Sequence, residues 1–171
     1  MTAEDPPDAR GADDPADVAA LAAFAAALAD GVEAHLAGWV ERVVAERHRQ
    51  WSGTDLPTSV RDAARTAGAA ATTEVAPRVR ALLERDVDDQ PTGPLALLRA
   101  AAAHPTAVLR AAGVPPVVRD EVATRLQPED VYDLAPAAFA DIHPDLHEAG
   151  ITWGAAKAHV VLARRRREGR R

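Results

Sequence analysis

The chain contains no cysteine and no asparagine, and serine occurs only at positions 52 and 59. Without cysteine there can be no disulfide framework, no zinc finger and no thiol catalysis. Neither serine lies in a Gly-x-Ser-x-Gly elbow, so serine catalysis is nearly excluded. The ten glycines are scattered singly, and they form no glycine-rich phosphate loop. The missing residues therefore argue against most catalytic classes.

Large apolar residues are also scarce, and alanine takes their place at 41 of 171 positions. Alanine has the highest helix propensity of any residue, and its small side chain lets helices approach closely. No stretch shows the alternation of apolar and polar residues that is typical of a strand. The sequence therefore predicts an all-α protein with about five to seven helices, in a single helical domain over residues 14–164.

The sequence has no long hydrophobic run. The run from Val18 to Ala29 is shorter than the ~20 residues that span a bilayer, and Asp30 and Glu33 follow closely. The first five residues are acidic rather than basic, unlike the start of a signal peptide. We therefore expect a soluble cytoplasmic protein without a membrane segment.

Apolar residues recur at steps of three and four between Val18 and Val43, which predicts one buried helix face. Asp14 and Pro15 favour a helix start, so we predict a long helix that ends at about His48. A second helix is predicted over 58–83, with a kink or interruption at Pro77, and a loop follows over 86–94. Further helices are predicted over 95–103, 105–112, 115–126 and 152–167, with short pieces around 129–134 and 136–141.

The two ends of the chain carry opposite charge within a net charge of −6. Residues 1–13, acidic and poor in apolar side chains, are predicted to form a disordered tail. Residues 165–171 are predicted to form a basic tail. The candidate docking residues for an acidic partner lie at the junction of the domain and this tail, and they are Arg164, Arg165, Arg166 and Arg167.

Functional side chains are concentrated in segment 128–159, which holds half of the aromatic residues and half of the histidines. Aromatic rings with nearby imidazoles and carboxylates are typical of ligand pockets. The candidate ligand-binding residues are Tyr132, Asp133, His143, His147 and Trp153. Just upstream, Arg119 and Asp120 are interpreted as an exposed or interface charge pair.

His143 and His147 lie four residues apart with carboxylates beside them, and imidazole and carboxylate are ordinary metal ligands. However, Pro144 disfavours helical conformation at His143, so the pair need not share a helix face. His143 can instead cap the helix that follows. We therefore predict no cofactor and no stoichiometric transition metal in the purified protein.

Three functions remain open. The favoured hypothesis is a non-enzymatic helical interaction or regulatory domain that binds a protein partner or itself, because catalytic motifs are missing and alanine-rich helices suit helix association. The first alternative is a helical small-molecule- or metal-binding domain, or an unrecognised enzyme, with its site in 128–159. The second is a nucleic-acid-associated regulator that uses the C-terminal arginines. It is not favoured, because no aromatic residues are interleaved with them.

Overall fold

A computed structural model describes residues 14–85 and 93–169. These residues form seven helices and no strand, which confirms the all-α prediction. The acidic segment predicted over 1–13, most of the loop predicted over 86–94 and the last two residues lie outside the described residues. The helices are α1 (Pro15–Ser52), α2 (Thr58–Leu83), α3 (Pro94–Ala100), α4 (Ala103–Ala111), α5 (Glu121–Leu126), α6 (Phe139–Ile142) and α7 (Leu146–Glu168).

Helix α1 forms the centre of the core, as its apolar pattern predicts. Its start matches the prediction, because the Asp14 carboxylate accepts a hydrogen bond from the Ala16 amide at 2.9 Å. Gly53 ends the helix in the left-handed conformation at φ 68°, which glycine adopts without strain. The residues of α1 that are at most 2% exposed are Ala25, Leu28, Ala29, Val32, Leu36, Trp39, Val40 and Val44.

Helix α2 packs along α1 at very short range. A Cβ atom at Gly68 would lie 2.8 Å from the Ala37 carbonyl oxygen of α1, so glycine is what allows this approach. Pro77 lies inside α2 and does not end it. Val75 and Val79, on either side of this proline, are both buried in the core. At the surface, the Arg80 guanidinium donates hydrogen bonds to the carboxylates of Asp30 and Glu33 in α1, and these bonds raise the pKa of Arg80.

Helix α7 completes the bundle, and it begins six residues before the predicted start at Thr152. The earlier start has a packing reason. Leu146, in its first turn, is 4% exposed and contacts α1 at Gly31. This contact buries a side chain that lies outside the final helix predicted over 152–167.

By length and composition alone, α1 would also qualify as a membrane span. One 18-residue window has a mean hydropathy of 1.4, and 22% of that window is buried in the structure. The central helix of a helical bundle gives the same signal, and α1 carries the largest buried side chains of the described core.

Candidate functional site

Two of the predicted ligand-binding residues, Tyr132 and Trp153, are core residues. The Tyr132 side chain is 2% exposed, and its hydroxyl donates a hydrogen bond to the Val114 carbonyl at 2.7 Å. Trp153 packs edge-on against Phe139, with ring centroids 6.5 Å apart. Its ring also lies 5.1 Å from the ammonium of Lys157, whose pKa is lowered by partial burial. Packing and one internal hydrogen bond therefore account for both side chains.

The predicted residue Asp133 forms a salt bridge with Arg119, which the sequence analysis had paired with Asp120. The Arg119 guanidinium, with its side chain 8% exposed, lies 2.5 Å from the Asp133 carboxylate and 3.6 Å from that of Asp130. Asp130 also accepts hydrogen bonds from the Leu134 and Ala135 amides at 2.8 and 2.9 Å. Asp120, the predicted partner of Arg119, instead caps α5. The interpretation of Arg119 and Asp120 as a charge pair is therefore wrong.

His143 contacts His35 and Asp145 rather than His147, with which the sequence had paired it. Its ring stacks on that of His35 in α1, with centroids 3.8 Å apart and planes 6° from parallel. Its Nδ1 accepts a long hydrogen bond of 3.3 Å from the Asp145 amide. This bond is not the predicted helix cap, because Asp145 is itself the N-cap of α7 and no side chain caps that helix. His147 is exposed on the first turn of α7 and is not part of the group formed by His35, His143 and Asp145.

The basic docking residues lie on the last turns of α7, which continues to Glu168. The tail predicted over 165–171 is therefore helical as far as α7 extends. Arg165 and Arg166 are exposed, whereas Arg164 and Arg167 are half-buried. Cations at this end of a helix are favoured by its dipole, so the arginines have a structural reason to be there.

The apolar residues that the sequence analysis missed lie around α5. Val122 and Leu126, four residues apart on α5, are 66% and 76% exposed, and Val118, on the chain leading into α5, is 97% exposed. No residue of α5 is buried. We call these three side chains the α5 tip. A spacing of four residues is also the pattern of a buried helix stripe, so no sequence signal distinguished this surface from core.

Helix α5 is also shorter than the helix predicted over 115–126. The consecutive prolines 115 and 116 disfavour helix before it, and the Asp120 carboxylate accepts a hydrogen bond from the Ala123 amide at 2.7 Å, which fixes the start. The prediction is therefore wrong for residues 115–120, which are not helical in the structure.

The chain from Val114 to Leu134 projects from the helical bundle, and its two ends contact each other where it leaves and rejoins the bundle. We call these contacts the base of the α5 segment. The Tyr132–Val114 hydrogen bond closes the base, and next to it the Val117 amide donates to the Val131 carbonyl at 2.8 Å. Arg119 adds the buried salt bridge and donates to the Gln127 carbonyl at 3.0 Å. The α5 tip is thus exposed at the end of a segment whose two ends are fixed.

A cleft of about 480 Å³ lies beside the α5 tip. Small side chains of α3 and α4, including Ala96, Ala100 and Ala103, form its apolar wall, and Leu126 and Pro128 form the facing wall. Arg99, Gln127 and Glu129 add polar groups. Leu126 belongs to both features, so the α5 tip adjoins the cleft.

No protein-family model, no curated protein and no solved structure matches this chain.

Proposed function

We propose that the chain is a non-enzymatic helical interaction domain that binds a partner protein through the α5 tip and the adjoining cleft. The observation that carries the proposal is the exposure of three large apolar side chains on a short segment whose helix buries none of its residues. Scattered apolar residues at a protein surface are ordinary, but a contiguous apolar patch is typical of an interaction site.

The energy available at the α5 tip is moderate. Full burial of a valine or leucine side chain is worth about 1.5–3 kcal/mol, so three provide at most roughly 4.5–9 kcal/mol. Association itself consumes several kcal/mol through lost translational and rotational freedom. A partner that contacts only the α5 tip would therefore bind weakly, and one that also fills the cleft would bind more tightly.

The occupant that fits this surface is an apolar side chain or helix of another protein. The alanine side chains that line the cleft leave room for a large side chain, and the polar lining groups Arg99, Gln127 and Glu129 can bind the partner's backbone or charged residues. A two-fold contact between two copies through the α5 tip alone would bury only three large side chains from each. Stable interfaces bury about 800 Å² on each partner, so a symmetric pair of copies joined only through the α5 tip would be too small, and a stable partner must also fill the cleft.

A photo-crosslinking experiment tests the proposal directly. A photo-reactive phenylalanine analogue replaces Val122 in the full-length chain, and the same analogue replaces Leu162 of α7, another exposed apolar residue at 51%. Irradiation in cells should give a discrete protein adduct from position 122 and not from position 162. An adduct containing two copies of the chain would show self-association instead, and the absence of any adduct would contradict the proposal.

A pair of matched leucine substitutions tests the energetics once the adduct is identified. Leu126→Ser should weaken binding at least about tenfold, because it removes one buried leucine worth about 1.5–3 kcal/mol, whereas Leu162→Ser should leave it unchanged. Binding should survive about 0.5 M salt, since apolar contacts are not screened as charges are. Binding that is lost in salt and depends on Arg165 and Arg166 would favour the nucleic-acid or acidic-partner alternative.

A small-molecule ligand is the second candidate, and the cleft is the observation that favours it. Its volume falls within the ~300–1,000 Å³ of ordinary ligand sites and it combines apolar walls with a few polar groups. Native mass spectrometry of the purified chain is the test. A retained small molecule that is lost on Ala100→Trp, which would fill the cleft, would support this candidate.

A further inference from the structure

One stretch of α1 holds the corner between α6 and α7 at three points. Gly31 contacts Leu146, the His35 ring stacks on His143, and Arg42 donates hydrogen bonds to the carbonyls of residues 141 and 142 at 3.0 and 2.9 Å. These contacts fix the backbone of the corner against α1. Side chains that the corner presents beside His35 are therefore held in place by the fold.

Three metal-ligating side chains gather at this corner. The ligand atoms of His35, His143 and Asp145 all lie within 4.8 Å of one another. The two imidazoles are half-buried, whereas the Asp145 side chain is 78% exposed. Two imidazoles and one carboxylate form a donor set that zinc and neighbouring divalent transition metals prefer.

We propose that His35, His143 and Asp145 bind a divalent transition-metal ion, of which zinc is the best fit, and leave one coordination position open to water. The spacing supports this ion. Two ligand atoms at about 2.1 Å from a tetrahedral zinc lie roughly 3.4 Å apart, and the His143 Nδ1 atom is 3.5 Å from the Asp145 carboxylate oxygen. The ion would join α1 to the α6–α7 corner.

Binding requires a small rearrangement of the rings. Parallel imidazoles cannot both direct their in-plane lone pairs at one ion, so at least one ring must rotate about its Cβ–Cγ bond. That torsion is soft in histidine. The Asp145 amide must also give up its contact with His143 Nδ1, which at 3.3 Å is longer than a typical hydrogen bond. The backbone of the corner need not move.

The site is separate from the proposed interaction surface in its residues and in its elements. It uses α1 and the start of α7, whereas the proposed partner binds around α5 and the cleft beside α3 and α4. The sequence considered only the pair His143 and His147 and predicted no stoichiometric transition metal. The proposal departs from that prediction, because here the second imidazole comes from His35 of α1. Metal binding and partner binding can therefore be measured, and can fail, independently.

Isothermal titration calorimetry, in which zinc is titrated into the full-length chain, tests the proposal. We expect saturable binding of one ion per chain and a rise in melting temperature, because a ligand that binds the folded state stabilises it. His35→Ala and His143→Ala should each weaken binding by more than about tenfold, since even the loss of an outer partner of a metal ligand costs about 10–100-fold. His147→Ala is the matched control and should bind as the parent does.

Asp145→Asn provides a variant that disturbs no buried group, because this side chain is largely exposed. It should weaken zinc binding while its melting temperature without metal stays that of the parent. Long-range nitrogen–proton NMR spectra report the ligating ring nitrogens and should shift for residues 35 and 143 and not for residue 147. No saturable binding, equal weakening by His147→Ala, or unshifted resonances of residues 35 and 143 would each overturn the proposal.

Discussion

Leu28 of α1 and Val122 of α5 are both apolar residues on helices whose apolar positions recur every three or four residues. Leu28 is fully buried, whereas Val122 is 66% exposed. Helix α1 is contacted by α2, α4, α6 and α7, so its apolar face has neighbours along its length. Helix α5 sits at the end of a segment that is held at its base. Periodicity shows which residues share a helix face, and only the three-dimensional arrangement shows whether the chain covers that face itself.

The largest expected effect comes from placing the same charge on each face. Leu28→Asp should unfold the protein, because an unpaired carboxylate in the core costs several kcal/mol against a total stability of about 5–15 kcal/mol. Val122→Asp should leave the melting temperature unchanged, because its side chain stays in water. Thermal unfolding followed by circular dichroism measures both. A loss of stability in Val122→Asp would show that α5 packs on the bundle in solution.

The next effect concerns the base that holds the α5 segment. Arg119→Ala leaves the buried Asp130 carboxylate without its cation, and removing one partner of a buried ion pair typically costs about 3–5 kcal/mol. We expect the lower end, about 3 kcal/mol, because Asp130 keeps two backbone hydrogen bonds. Hydrogen exchange should accelerate over 114–134 more than in α1. Uniform acceleration through both regions would mean that the base is part of the main core.

Two glycine substitutions sharpen the contrast between covered and uncovered helix faces. Gly68→Ala should destabilise by about 1–3 kcal/mol, since overpacking of a tight contact has this cost and the added Cβ would meet the Ala37 carbonyl. Gly38→Ala, with open space around its Cβ, should instead stabilise by about 0.5–1 kcal/mol through helix propensity. Urea unfolding of both variants measures the difference. Shifts of the same sign would refute the close approach of α1 and α2.

The smallest expected effects on the free energy of unfolding come from substitutions of two arginines in α1. Arg42→Ala removes two hydrogen bonds to backbone carbonyls of α6 and should cost about 1–2 kcal/mol. Arg49→Ala removes an exposed pair with Glu46, so its effect should stay below about 0.5 kcal/mol. Chemical unfolding midpoints at equal protein concentration separate the two. Equal shifts would mean that the Arg42 contacts are no stronger than a surface ion pair.

The helices and the buried face of α1 could be predicted because local rules determine them. Asp14 caps, Pro15 suits a first turn, and Leu28 recurs with its neighbours at helical spacing. The partner of His143 could not be predicted, because His35 is distant in the chain and only the packing of α1 against the corner brings them together. The early start of α7 was missed for the same reason, since Leu146 and its contact Gly31 are also distant in the chain.

The exposure of the α5 tip has an evolutionary consequence. Folding places no selection on positions 118, 122 and 126, because polar side chains there would leave the bundle intact and improve solubility. Mutation alone would then tend to replace these three residues with hydrophilic ones over time. In descendants of this chain, the rate at which they are lost, measured against equally exposed positions on α7, would test whether the proposed partner maintains them.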